Sequence, residues 1–102
     1  MALPKLTAEE KKRALRKAQD MRSKRADLRR RLKSGRLTLA EVLRRDNDEV
    51  VARMRVAYLL ESLPKIGRVT TRKIMEEIGI DESRRVQGLG QRQRGALLAK
   101  LG

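Results

Sequence analysis

Apolar residues in this chain recur at helical spacing between a handful of sharp breaks, and nowhere does an apolar/polar alternation persist long enough to read as a strand. That pattern predicts an all-α fold, and 102 residues allow one domain with a modest core plus an appendage. The breaks define about five helices. Thr7-Ala8-Glu9-Glu10 is a capping box that opens a helix running to about Lys33, and Ser34-Gly35 ends it because glycine tolerates the left-handed conformation of a helix stop. Along this helix Ala14, Ala18, Met21, Leu28 and Leu32 keep register, but Arg25 interrupts the stripe and the first turns offer mainly alanine. Only its later half is expected to pack well.

Thr38-Leu39-Ala40-Glu41 repeats the capping box and introduces a short helix through about Arg45, with Leu39, Val42 and Leu43 inward. Asp46-Asn47-Asp48 supplies the next cap. From Glu49 to about Ser62, Val50, Val51, Met54, Ala57, Tyr58 and Leu60 fit the buried face of one central helix. Leu63-Pro64-Lys65-Ile66-Gly67 breaks the chain, a helix restarts near Thr70 with Ile74, Met75 and Ile78 inward, and Gly79 closes it. Residues 80–90 read as turn, and Gln91 to Leu101 as a last helix with Ala96, Leu97, Leu98 and Leu101 buried.

Charge decides the class of partner. Lys and Arg number 27 against 13 Asp and Glu, a net +14, and such a field condenses on polyanions. Residues 1–45 hold 16 basic and 5 acidic side chains, while residues 46–102 hold 11 and 8, so the diffuse attraction sits mostly in the first part. Recognition in the second part must rest on the placement of a few groups. There is no Cys or His, which excludes disulfides and thiolate or imidazole metal sites. No pair of the remaining reactive side chains stands at a catalytic spacing, so neither an enzyme nor a cofactor is expected. Tyr58 is the single aromatic residue, whereas single-strand and RNA-loop readers commonly stack bases on several, and duplex is therefore favoured. The N-terminal Met1-Ala2-Leu3-Pro4-Lys5 carries no apolar run of signal-peptide length, and no segment is long enough to span a bilayer, so a cytoplasmic location is expected.

Two segments have the geometry of anion seats. In the stretch from Leu63 to Ile74, a helix ends, a tight turn follows, and a new helix begins beside Arg68, Arg72 and Lys73; backbone N–H groups near Gly67 and the positive end of the helix dipole suit a phosphate. Pro64 and Gly67 serve equally as a plain turn with solvated cations around it. The spacing resembles a helix-hairpin-helix, with Lys65 or Val69 at the second glycine position. The second segment, Gly79 to Gly90, places Arg84 and Arg85 and two glycines ahead of a helix. Its plain alternative is a pair of helix caps with surface arginines. Gly88-Leu89-Gly90 is no dinucleotide fingerprint, since no strand precedes it and the third glycine falls at Gly95. A positive φ at Gly67 or Gly88 would make alanine there destabilising as well as obstructive to a phosphate. The basic first helix, with Lys11-Lys12-Arg13 and Arg29-Arg30-Arg31, suits a phosphate backbone or a solvated arm, and its apolar face is too thin to anchor on a membrane.

Leu59-Leu60-Glu61-Ser62-Leu63-Pro64, Ile74-Met75-Glu76 with Gly79-Ile80, and Ser83-Arg84-Arg85-Val86 through Gly88-Leu89-Gly90 together make nearly the whole chain resemble the actinobacterial integration host factors. The resemblance implies a basic N-terminal helical arm or lid over residues 1–45 and a helix-two-turns-helix DNA-binding domain over residues 46–102. It also implies sequence-tolerant binding of double-stranded DNA, bending or topological effects, a place in the nucleoid, and support of phage integration in complexes with a phage integrase. Carried over by position, the DNA-binding groups are Lys65, Gly67, Arg68, Thr70 and Lys73 at the first turn and Arg84, Arg85, Gly88, Gly90 and Arg92 at the second. A monomer is expected, since Arg25 spoils a self-complementary apolar seam. The main rival is an RNA-binding or ribosome-associated protein built on the same module.

Overall fold

The computed structural model describes residues 7–45 and 47–101, so the N-terminal pentapeptide and the capping expectation for Asp46 lie outside the described residues. The described chain is all-helical, and no strand occurs in it. In order run α1 (Ala8–Lys33), α2 (Leu39–Arg44), α3 (Glu49–Arg53), α4 (Val56–Glu61), α5 (Arg68–Ile78), a single 3-10 turn (Val86–Gly88) and α6 (Gln91–Leu101).

Local chemistry sets most of these boundaries. Thr7 Oγ1 accepts from the Glu10 N–H at 3.1 Å, Thr38 Oγ1 accepts from the Glu41 N–H at 3.2 Å, and Asp48 Oδ1 accepts from the Val50 N–H at 2.9 Å. Each cap satisfies an N–H that the first helical turn leaves without a partner. Gly35 and Gly79, at φ 77 and 84, end α1 and α5 in the left-handed region.

The expected central helix is instead two short ones. Met54 and Arg55 are extended, with φ,ψ of −69,137 and −69,138. The reason is tertiary: the Val86 N–H donates to the Met54 carbonyl at 2.9 Å, and the Val56 N–H donates to the Arg84 carbonyl at 3.0 Å. Arg55 and Arg85 thus form one isolated antiparallel bridge, and a continuous helix would have kept Met54 and Val56 from these partners. A second shift is smaller: α5 starts at Arg68 rather than near Thr70.

One core holds the fold together. Leu28, Leu32, Leu37, Leu39, Val42 and Leu43 pack with Val51, Val56, Leu59, Leu60, Met75, Val86 and Leu97 in one continuous cluster, so the second half of α1 and all of α2 are rooted in the same core as the later helices. The first half of α1 behaves differently. Every residue from Ala8 to Asp20 is exposed, Met21 is half-buried, and only Leu28 and Leu32 are buried within α1. This projecting stretch accounts for a radius of gyration of 16.0 Å, where a compact chain of this length would show about 13 Å.

Candidate nucleic-acid interface

The first turn forms because α4 has nowhere to continue. Ser62 is buried with its Oγ donating to the Tyr58 carbonyl at 2.8 Å, and Pro64 follows directly on the buried Leu63. Lys65 then adopts φ 63, the one non-glycine residue at positive φ among the described residues. That is the strained position of the turn, and it falls on a lysine. Gly67 sits at φ −99, ψ −176, extended backbone open to any residue, and a Cβ there would meet nothing within 4 Å. Neither backbone conformation nor packing inside the protein requires a glycine at this point.

Gly67 is the N-cap of α5, and no side chain caps that helix. The amide groups of its first turn, at Arg68, Val69 and Thr70, therefore have no capping acceptor, and the positive end of an 11-residue helix dipole stands beside exposed Lys65 and Arg68; Lys73 lies farther along α5, where its charge acts on Glu77. Val69 is 71% exposed on this same turn, an apolar surface position beside the cations that charge-based reading passes over. Arg68 also faces a cleft between α4 and α5, where Arg72 Nε lies 3.7 Å from Glu82 Oε1 and ties α5 to the start of the second turn.

The second turn is densely bonded to itself. Asp81 accepts from both the backbone N–H (2.9 Å) and the hydroxyl of Ser83. These two hydrogen bonds, the side-chain one first, hold the Asp81 carboxyl below the usual carboxylate range. Arg84, Arg85 and Gly88 line one concavity together with Asp81, Ser83 and Gln87. Both arginines are exposed, yet both have intramolecular partners: Arg84 Nη1 donates to the Gly88 carbonyl at 3.2 Å, and Arg85 Nη1 donates to the Arg53 carbonyl at 2.6 Å. Arg85 thereby serves the C-terminal end of α3, so its removal touches stability as well as charge. Gly88 is not at positive φ either; a Cβ on it would meet the Arg84 Cδ at 3.0 Å, a contact a flexible side chain can relieve.

Gly90 precedes α6, and its N–H donates to Gln93 Oε1 at 3.1 Å, the half of a capping box that reaches back from the first helical turn. Gln93 Nε2 donates in turn to the Gly79 carbonyl at 3.3 Å, so one side chain fastens the start of α6 to the end of α5. Arg92, exposed at the second position of α6, lies beside this clamp rather than in the concavity with Arg84 and Arg85.

Three groups of structural or functional weight escaped the sequence reading. Arg94 holds the second turn from beneath, its guanidinium donating to the carbonyls of Leu43, Val86 and Leu89 at 3.1 to 3.3 Å. Its signal was present: Arg94 occupies the same helical stripe as Leu97, Leu98 and Leu101, and a cation on a buried stripe serves buried acceptors. Gln93 gave no comparable signal. A groove of about 700 Å³ between α1 and the α3–α4 junction was also missed, because its basic residues lie far apart in sequence. Among the described residues no group of three acidic, His or Cys side chains could hold a metal ion, and no helix is long and apolar enough to cross a membrane.

Comparison with known proteins places this geometry. Residues 32–101 match the family described as the S13-like H2TH domain. The chain is 50% identical to the integration host factor of Mycobacterium tuberculosis, with all of this chain and 98% of that protein covered. It is 46% identical to the integration host factor of Streptomyces coelicolor, covering all of this chain and 96% of that one. Among solved structures, sIHF bound to an 8 bp palindromic DNA superimposes with a TM-score of 0.83 at 43% identity, covering 85% of this chain and 99% of that one.

Proposed function

The chain belongs to the integration host factor family, built on an S13-like H2TH domain, and on that premise we propose that it is a non-enzymatic protein that binds double-stranded DNA through backbone phosphates with little sequence preference. The observation that carries this reading is the first turn: an uncapped helix N-terminus, a glycine that nothing inside the protein requires, and exposed Lys65 and Arg68 flanking that glycine in the chain. A β-carbon at Gly67 would stand between the α5 amides and an approaching phosphate, which gives the residue a reason that the fold does not. In this reading Lys65, Gly67, Arg68, Thr70 and Lys73 form the first phosphate seat, and Arg84, Arg85, Gly88, Gly90 and Arg92 the second. The relative solved with bound DNA supports duplex as the ligand.

The division of labour follows the charge. Residues 1–45 act as a basic arm whose first half is free to lie along DNA and whose second half is rooted in the core, while residues 46–102 present the two seats. Binding by this arrangement is architectural: it bends DNA or alters its topology, places the protein in the nucleoid, and assists an integrase complex by shaping its DNA. The protein acts as a monomer.

An RNA-binding role is the alternative, because the same seats grip any phosphate backbone. A competition of random-sequence duplex DNA against duplex RNA and single-stranded DNA at equal salt separates them. Duplex DNA is expected to displace both; preference for duplex RNA overturns the assignment.

A further inference from the structure

The groove between α1 and the α3–α4 junction is strongly basic, and of its cations only Arg85 also belongs to the second seat. Six cationic side chains line it, Lys17, Arg22, Arg25, Arg53, Arg55 and Arg85, and no carboxylate does. Glu49 partly balances Lys17 and Arg53, at 3.5 and 3.4 Å, and Arg85 is committed to the Arg53 carbonyl. The guanidinium groups of Arg22, Arg25 and Arg55 make no hydrogen bond or ion pair with any described residue. Like charges drawn from α1, α3, its junction with α4 and the second turn onto one concave surface repel across it, and an anion bound between them removes that repulsion.

The groove is also selective in shape. At about 700 Å³ it falls within the range of about 300–1,000 Å³ typical of small-molecule sites. Its floor is apolar, formed by Ala14, Ala18, Met21, Val50 and Met54, and Tyr58 lines it beside them. The Arg29 guanidinium lies 5.1 Å from the Tyr58 ring centroid and steadies the ring. A duplex is too broad to enter a groove this small. A ligand with a flat ring for the apolar floor and several negative charges for the arginines matches both surfaces.

We propose that this groove binds a nucleoside polyphosphate, with the base against Tyr58 and Met21 and the phosphates held by Arg22, Arg25 and Arg55. Because Arg22 and Arg25 belong to α1 and Arg55 joins α3 to α4, such a ligand bridges the basic helix to the core. The α1 segment flanking Met21, exposed on both sides, becomes ordered against the body when the site fills.

Isothermal titration of the full-length protein with ATP, GTP, AMP and inorganic tripolyphosphate at physiological salt tests this. The triphosphates are expected to bind at a single site, tighter than tripolyphosphate by about tenfold, since a base stacked on an aromatic ring adds to what the phosphates alone supply. AMP, with fewer charges, is expected to be weaker still. Arg22→Ala/Arg25→Ala and Arg55→Ala should each lower triphosphate affinity at least about tenfold, as lost hydrogen bonds to a charged group do. Tyr58→Leu should erase the advantage of ATP over tripolyphosphate, and Lys65→Ala/Lys73→Ala should leave nucleotide binding as it was. Amide exchange in residues 14–25 should slow when ATP is present. Absence of saturable binding, equal affinity for ATP and tripolyphosphate, or an equal loss from the Lys65→Ala/Lys73→Ala variant would reduce the groove to a counterion surface and overturn the proposal.

Discussion

The two turns share a sequence signature, glycine and arginine or lysine ahead of a helix, but they are built in opposite ways. At the first, α5 starts without a capping side chain, and no hydrogen bond or ion pair among the described residues engages Lys65 or Arg68. At the second, Arg84 and Arg85 donate to protein carbonyls, Asp81 accepts twice from Ser83, and Gln93 takes up the Gly90 N–H. The first turn is poised for an outside acceptor; the second spends much of its polarity on its own shape. Composition alone does not distinguish a vacant anion seat from a self-satisfied one, whereas the hydrogen-bond partners do.

Several substitutions break or sharpen this contrast. The largest effect is expected from Lys65→Ala/Arg68→Ala/Lys73→Ala, which should weaken duplex binding at least about tenfold at moderate salt, uniformly across sequences. Arg84→Ala should cost less than about threefold, because that guanidinium must first leave the Gly88 carbonyl to meet a phosphate. If the Arg84 variant proved the weaker binder in an electrophoretic or anisotropy titration, the ranking of the turns would be reversed.

Arg85→Ala tests the structural side. Its bond to the Arg53 carbonyl is exposed to solvent, so the loss is expected to stay at or below about 1 kcal/mol, and the melting temperature to fall by no more than about 4–8 °C. An unchanged melting temperature would mean that the contact contributes nothing to stability.

The glycine pair gives a smaller and cleaner separation. Gly67→Ala should leave melting within about 2 °C of wild type, since the residue is neither at positive φ nor in contact with anything, while DNA affinity falls. Gly88→Ala should lower stability slightly by displacing the Arg84 side chain. A Gly67→Ala protein that binds normally removes the reason offered for that glycine.

The smallest effect is expected from acid. The Asp81 carboxyl titrates below the usual carboxylate range because Ser83 bonds its charged form. Its contribution is therefore complete above the unfolded carboxylate pKa and lost as pH falls through the lower folded value. The Ser83 amide resonance should shift in that acid window in wild type and stay constant in Asp81→Asn. The amides of the first turn of α5, which no carboxylate side chain caps, should show no matching transition.

The sequence made legible whatever local chemistry decides. The two threonine caps, the stops at Gly35 and Gly79, the poorly packed start of α1 and the helix from Gln91 to Leu101 all depend on residues within a turn or two of one another. The split of the central helix was hidden because its cause, the backbone of Arg84 and Val86, lies some 30 residues away from Met54. The site divides along the same line. Lys65, Arg68 and Lys73 were found as charges, but that the positive φ falls on Lys65 rather than Gly67 required the backbone itself. The groove arginines were invisible for a related reason, as side chains from α1, the α3–α4 junction and the second turn meet only in the folded chain.

The central claim is that exposed cations at an uncapped turn neutralise the phosphates of duplex DNA. It is tested most directly by titrating random-sequence duplex against salt for the wild type and for Lys65→Ala/Arg68→Ala/Lys73→Ala. The wild-type logarithm of affinity should fall linearly with the logarithm of salt, at about 0.9 per phosphate and for roughly four to eight phosphates. The variant should lose about one contact per removed cation from that slope. A wild-type slope near zero, or a variant slope equal to wild type, would contradict the account.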